Sequence, residues 1–369
     1  MSETFRYMPM LQSRGGEFEA LRNLGNRERS LIQPVVTIAP PKWDFKNDRP
    51  TCSVLEHVGK VALNFRSSWG PLHDIRVDGF LLDSSEVIKD DAHPMERMFE
   101  IANAHEIRMI PVVGLDRSPS YQRFARTWAA KHERGATIRI EREDLLDSNA
   151  LASGIKALLD SLKLSAADAD LVFDLKAINE SEEVVFADRI ISALSTLPFA
   201  RQWRSVFLAA TSFPQNLSAI RRDSIGTIPR LEWDFWKSID AQRRRFERAP
   251  WFADYAVAHP APVQIENPRV SGNIRFTTDS AWTVIKGRLI SEGDRGQMKQ
   301  LSKDLIDLNE PFDRSFSAGD RHIAKCAEGS VGPGSPSTWR FVGTSHHICF
   351  VLRQLQTHFE KTRQPRRVS

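Results

Sequence analysis

Cysteine is scarce. Cys52, Cys326 and Cys349 are the only three in 369 residues, far apart, odd in number and without a CxxC spacing. That argues against a disulfide framework and a cysteine-based zinc site, and it suits a reducing compartment. Long apolar runs are missing too. No segment approaches the roughly 18 apolar residues of a membrane span. Residues 1–11 lack the apolar stretch of a signal peptide, so a cytoplasmic location away from the membrane is expected. Neither sign of charge prevails: 51 Lys and Arg face 47 Asp and Glu, and a thinly spread net +4 demands neither nucleic acid nor a lipid surface. No P-loop, GxGxxG, HExxH, HxE…CxxC or GxSxG string is present. The common nucleotide, zinc and serine-hydrolase signatures are therefore absent, and no cofactor or metal is specified. Tyrosine is rare, three residues against nine tryptophans.

What the chain does have is alternation. Eight short aliphatic or β-branched runs recur at residues 32–39 (IQPVVTIA), 77–83 (VDGFLLD), 108–115, 136–141 (ATIRIE), 169–175 (ADLVFDL), 205–210, 230–235 (RLEWDF) and 252–259. Near-continuous apolar runs of this length predict strands covered on both faces. Between them lie amphipathic stretches at 95–105, 118–132, 150–162, 180–194 and 237–248, with a shorter piece at 216–222. Ser118 and Pro119 supply an N-cap and a first-turn proline. Eight strand–helix repeats predict a single (β/α)₈ barrel, with an open doubly wound sheet as the alternative. Residues 1–31 read as an N-terminal extension. Residues 273–340 read as an insertion: a hairpin at 273–277 and 282–285, a helix at 295–308, and a Gly/Ser/Pro-rich mobile loop at 314–338. A final helix is expected at 345–361, with Ser345 as its N-cap and a frayed tail (RQPRRVS) beyond it.

Several strings, in order along nearly the whole chain, carry a resemblance. They are Tyr7-Met8-Pro9, Arg14-Gly15-Gly16-Glu17 with Ala20-Leu21, Thr211-Ser212-Phe213-Pro214, Glu232-Trp233 and Asp254-Tyr255. Ile274-Arg275-Phe276 with Trp282 and Lys286-Gly287, then Trp339-Arg340-Phe341 leading to His346-His347, continue it. Together they resemble the phage-type beta protein family of phages and bacterial mobile or defence-related regions. The resemblance implies a barrel and a setting in phage–host conflict, and little chemistry. An acidic residue usual in that pattern near Thr37 or Ala39 is missing here.

The functional face of an α/β barrel is the C-terminal end of its strands. Period-two alternation aligns Arg139 with Glu141, Asp174 with Lys176, and Arg230 with Glu232 and Asp234; Asp83, Asp116, Arg117, Thr211, Ser212 and Asp254 also fall at strand ends. Charges inside apolar strands cost free energy unless paired or wet. Two readings follow: a ring of inter-strand ion pairs, such as Arg139 with Asp174, or a mixed-charge pocket for an anionic, nucleotide-like ligand. In the pocket reading Glu141, Asp174, Lys176, Glu232, Asp254 and His346 are the candidate catalytic groups. Arg139, Arg275, Ser212, Tyr255 and Trp282 are the candidate ligand contacts. Asp174-Leu175-Lys176 has the D-x-K form of metal-dependent nucleases, and Glu141 with Glu232 could serve as a glycosidase acid and base. The start of the helix at Gly15 offers unpaired N–H groups to an anion. Trp233, Trp236, Trp251, Trp282 and Trp339 either cover the barrel edge or stack on bases beside Arg275, Lys286 and Arg288. Whether the chain is an enzyme is left open. The competing expectation is a sensor or scaffold that recognises a phage component or an effector encoded by an adjacent gene.

Overall fold

The computed structural model describes residues 6–82, 92–261, 266, 269–290 and 296–363. Asp83 and the tail from residue 364 lie outside the described residues.

Eight parallel strands close a barrel and follow one another around it in chain order: β1 (Tyr7–Gln12), β2 (Val35–Thr37), β5 (Ile75–Asp78), β6 (Met109–Val113), β7 (Ala136–Glu141), β8 (Ala169–Ala177), β9 (Ser205–Thr211) and β11 (Trp251–Asp254). β3 (Trp43–Asp44) and β4 (Arg49–Pro50) form a small separate hairpin. Helices α1 (Gly15–Arg22), α2 (Asn26–Leu31), α3 (Val54–Ser68), α4 (Pro94–Ala104), α5 (Pro119–His132), α6 (Ser148–Leu162), α7 (Glu183–Ser195) and α8 (Leu231–Asp240) connect the strands. Their starts are chemically marked. Ser118 accepts from the Tyr121 amide and Ser53 from that of Glu56, each satisfying a donor the helix itself leaves open.

The barrel has an apolar outer face under the helices and an interior with three layers. Met8, Met10, Val35, Val112, Val172, Phe207 and Ala253 fill the middle. Asp170, two residues before Val172 and on the same face, lies with Arg76, Thr137 and Ser205 at the N-terminal end. Asp174, two residues after it, lies with Arg139, Asp78 and Tyr255 at the C-terminal end. At Asp170 burial alone would raise the pKa. Arg76, Arg204 and the Ser205 hydroxyl outweigh it and hold the carboxyl below its usual range.

The remaining chain builds a cap. β10 (Ser224–Pro229), β13 (Ala281–Leu289) and β12 (Ser271–Thr277) form an antiparallel sheet in that order, covered by α9 (Gln297–Leu308) and α10 (Ala318–Glu328) around a second apolar core. The long α11 (Pro336–Arg363) joins cap to barrel.

Several expectations need correction. Residues 230–235 open α8 rather than a seventh strand, because Trp236 and Ile239 continue the buried stripe at helical spacing. The missing strand is β1, inside the stretch read as an extension. Residues 216–222 form turns, and 237–248 is only partly helical, α8 ending at Asp240. Residues 314–338 are not one loop: Ser317 caps α10, and Gly329, at φ +82°, ends it. Ser345 is no N-cap, since α11 starts at Pro336. Tryptophans 233, 236, 282 and 339 are buried as core.

Candidate functional site

The charges at the C-terminal strand ends form two clusters back to back across the sheet. The inner one hangs on Arg139, only 2% exposed. Its Nε and Nη2 donate to Asp174 Oδ2 at 2.8 and 2.5 Å, and its Nη1 donates to Asp78 Oδ2 at 2.7 Å. The Tyr255 hydroxyl donates to the same Asp174 oxygen at 2.6 Å, and the Lys176 amide to the other at 2.9 Å. Burial and then Asp174 push the Tyr255 hydroxyl well above its ordinary pKa; burial would lower that of Arg139, yet Asp174 and the surrounding acids drive it up. Both groups keep their protons throughout. The pairing of Arg139 with Asp174 is the inter-strand ion pair expected from alternation. Within the D-x-K string, Asp174 thus accepts from Arg139, Tyr255 and the Lys176 amide, while the Lys176 side chain turns to Glu141.

At the rim the cluster opens. Lys176, in a left-handed conformation (φ +57°), reaches Glu141 Oε2 at 2.5 Å, and both side chains are partly exposed. Arg117 is hydrogen-bonded to the exposed Asp116, while its Nη2 stands 3.7 Å from Asp78. Arg117 Nε and Nη2 and Glu141 Oε1 are buried without hydrogen-bond partners.

The outer cluster points away from the lumen, toward α11. Ala253 and Tyr255 face inward, so Asp254 faces outward. Its Oδ1 accepts from the Tyr7 hydroxyl at 2.5 Å and the Ala256 amide at 3.0 Å; its Oδ2 meets His347 Nε2 at 2.7 Å. His347 Nδ1 lies 2.8 Å from the Thr277 hydroxyl on β12. Burial lowers the His347 pKa against the pull of Asp254. The neutral ring fits its partners, Nε2–H donating to the carboxylate and Nδ1 accepting from threonine. At Asp254 burial acts upward, and His347, Arg230 and Tyr7 together win, holding the pKa low. Arg230 Nε donates to Glu232 Oε1 at 3.2 Å, and Ser212 donates to Glu232 Oε2 through its amide and hydroxyl. Burial, with Asp254 adding to it against Arg230, brings Glu232 to about 7. Trp282 stacks beside His347.

Two nominated residues belong to the cap. His346 places Nδ1 3.0 Å from Asp320 and Nε2 2.9 Å from the Thr277 carbonyl, between Phe276 and Phe316. Both ring nitrogens are thus engaged by partners in the cap. Arg275 Nη1 donates to the Val257 carbonyl; burial, then Arg340, lowers its pKa to about 9. Glu17 sits under Arg340 at 3.8 Å, and Gly16 lies against Ser337, which leaves no room for an anion at the start of α1.

The structure thus gathers Arg139, Glu141, Asp174, Lys176 and Tyr255 at one place, and Asp254, Glu232, Ser212 and Trp282 at another. It keeps His346 and Arg275 apart from both. The family model described as Beta protein matches residues 7–353, from the first barrel strand into α11. The chain belongs to the Beta protein family. No curated protein matches it. In this Beta protein, the second run, read as 77–83, leaves out Arg76 and puts the strand end at Asp83; β5 spans Ile75–Asp78, so its true last residue, Asp78, is passed over. Tyr7 ties the first barrel strand to the last through Asp254, and Thr277 ties the cap to α11 through His347; nothing in the sequence pattern points to either pairing. Among the described residues no helix is long and apolar enough to cross a membrane, and no three His, Cys, Asp or Glu side chains gather as a metal site would need.

Proposed function

We propose that this Beta protein is a cytoplasmic, non-catalytic recognition barrel of phage–host conflict, which binds a phage component or a partner effector without transforming it. One observation carries this reading: behind the rim, the charges at the C-terminal end of the barrel are sealed and already paired with one another. Arg139, Asp174, Asp254, Glu232 and His347 are each at most 2% exposed. A catalytic acid, base or nucleophile has to reach its substrate. A buried charge network holds a surface in one shape, and that suits recognition. The setting is the one that the sequence resemblance implies.

A second reading, an anionic nucleotide-like ligand at the rim, is favoured by the unpartnered nitrogens of Arg117 beside Glu141 and Lys176. Glu141→Gln and Lys176→Met separate the two. Both side chains sit at the rim rather than in the sealed interior, so either exchange should leave the barrel folded and its melting temperature close to the parent's. Plaque formation on cells carrying each variant is the readout. Recognition without chemistry expects full protection at unchanged melting temperature. Loss of protection at unchanged melting would favour the rim ligand, and a parent protein that protects against no phage would remove the setting.

A further inference from the structure

The thin net charge conceals a local concentration. Arg243, Arg244, Arg245 and Arg248 fall within six residues between α8 and β11. The fold carries them to the N-terminal end of the barrel, opposite the strand ends described above. There Arg6, just before β1, and Arg204, just before β9, join Arg243, Arg244 and Arg248 around a concavity of about 570 Å³ whose wall includes Trp251. Glu247 is the single acid lining it, and it pairs with Arg201 at 3.3 Å.

The groove is built rather than incidental. Arg204 is fixed from below by two hydrogen bonds to the buried Asp170, and its guanidinium also donates to the Arg134 carbonyl. Arg248 is held against the Arg204 carbonyl at 2.9 Å. Arg243 stands 3.5 Å from Asp240, a carboxylate that His358 also engages. Arg6 and Arg244 are exposed and make no ion pair among the described residues. Asp170 and Asp240 partly offset Arg204 and Arg243, but Arg6, Arg244 and Arg248 leave a surplus of positive charge around the hollow that an anion would balance.

We infer that this groove binds the phosphate backbone of a single-stranded nucleic acid, with Trp251 as a platform for a base. Guanidinium forks match phosphate oxygens two at a time. A half-buried indole beside them supplies the stacking surface that single-strand sites use. A flat bilayer surface would not reach the recessed Arg204 and Arg248.

The test is anisotropy of a labelled oligothymidylate with the full chain, between about 50 and 200 mM salt. Binding should weaken as salt rises. Arg6→Ala and Arg244→Ala should each lower affinity several-fold and reduce the logarithmic salt slope by about 0.7, the value for one lost single-strand phosphate contact. Melting should not change, since neither side chain holds another group. Arg244→Lys should keep the slope. Four results would overturn the inference: no binding at low salt, affinity indifferent to both alanine variants, polyglutamate competing as well as the oligonucleotide, or ATP or inorganic phosphate binding as tightly as the strand.

Discussion

Glu232 shows what a buried carboxyl does when its neighbours disagree. Arg230 favours its charge; burial and Asp254 oppose it, and they prevail. Its pKa rises from 4.5 to about 7 on folding. Below pH 4.5 both folded and unfolded chains carry the proton, and the group adds no pH dependence. As pH rises toward 7 the unfolded chain releases the proton while the folded chain retains it, so stability falls; above 7 the loss is complete. At 1.36 kcal/mol per pH unit the loss amounts to about 3 kcal/mol. Glu232→Gln cannot ionise. Urea unfolding of parent and variant at intervals from pH 4 to 8 should therefore show the variant gaining on the parent through that window and running parallel to it afterwards. Curves parallel at every pH would mean that Arg230 keeps Glu232 ionised in the folded protein.

At the scale of elements, α11 is the member under most constraint. Two helices approach its backbone through glycine. A Cβ on Gly16 of α1 would lie 2.4 Å from the Ser337 carbonyl oxygen, and one on Gly319 of α10 would lie 2.2 Å from that of Val342. Gly16→Ala and Gly319→Ala should each cost about 1–3 kcal/mol, because a packed interface has no room for an added methyl. Gly332→Ala, with nothing within 4 Å, is the control and should leave unfolding unchanged. Denaturant midpoints check all three; a harmless Gly319→Ala would mean that α10 can slide along α11. Most elements were legible because parallel strands and covering helices leave strong periodic traces. The confusions have local causes. Residues 230–235 alternate polar and apolar like a strand, and only Trp236 and Ile239 reveal the helix. β1 holds a proline and stands alone before Gly15, so its run of Met8, Met10 and Leu11 passes for a tail. At the site, alternation found Arg139 with Asp174 and Glu141 with Lys176. It had no access to His347 on Asp254 or His346 on Asp320, since those pairs depend on how α11 and α10 dock.

For the whole molecule, closure rests on the N-terminal strand. β1 pairs with β2 on one side and β11 on the other, and it brings Tyr7 to Asp254. Removing residues 1–12 would leave two strand edges unpaired and one buried carboxylate short of a donor. Exposed edges recruit other chains. Size-exclusion chromatography with light scattering should show the truncated chain shifting to aggregates. A truncated chain that elutes like the parent and melts cooperatively would show that the barrel closes without β1.

The pairing of first strand with last also sets a timetable for synthesis. Tyr7 and Asp254 are 247 residues apart in sequence. At roughly 5–20 residues per second, β11 leaves the ribosome on the order of 12–50 s after β1. For that interval the nascent chain carries an open sheet with an unmatched edge, which makes it a natural client for a holding chaperone until residue 254 has emerged.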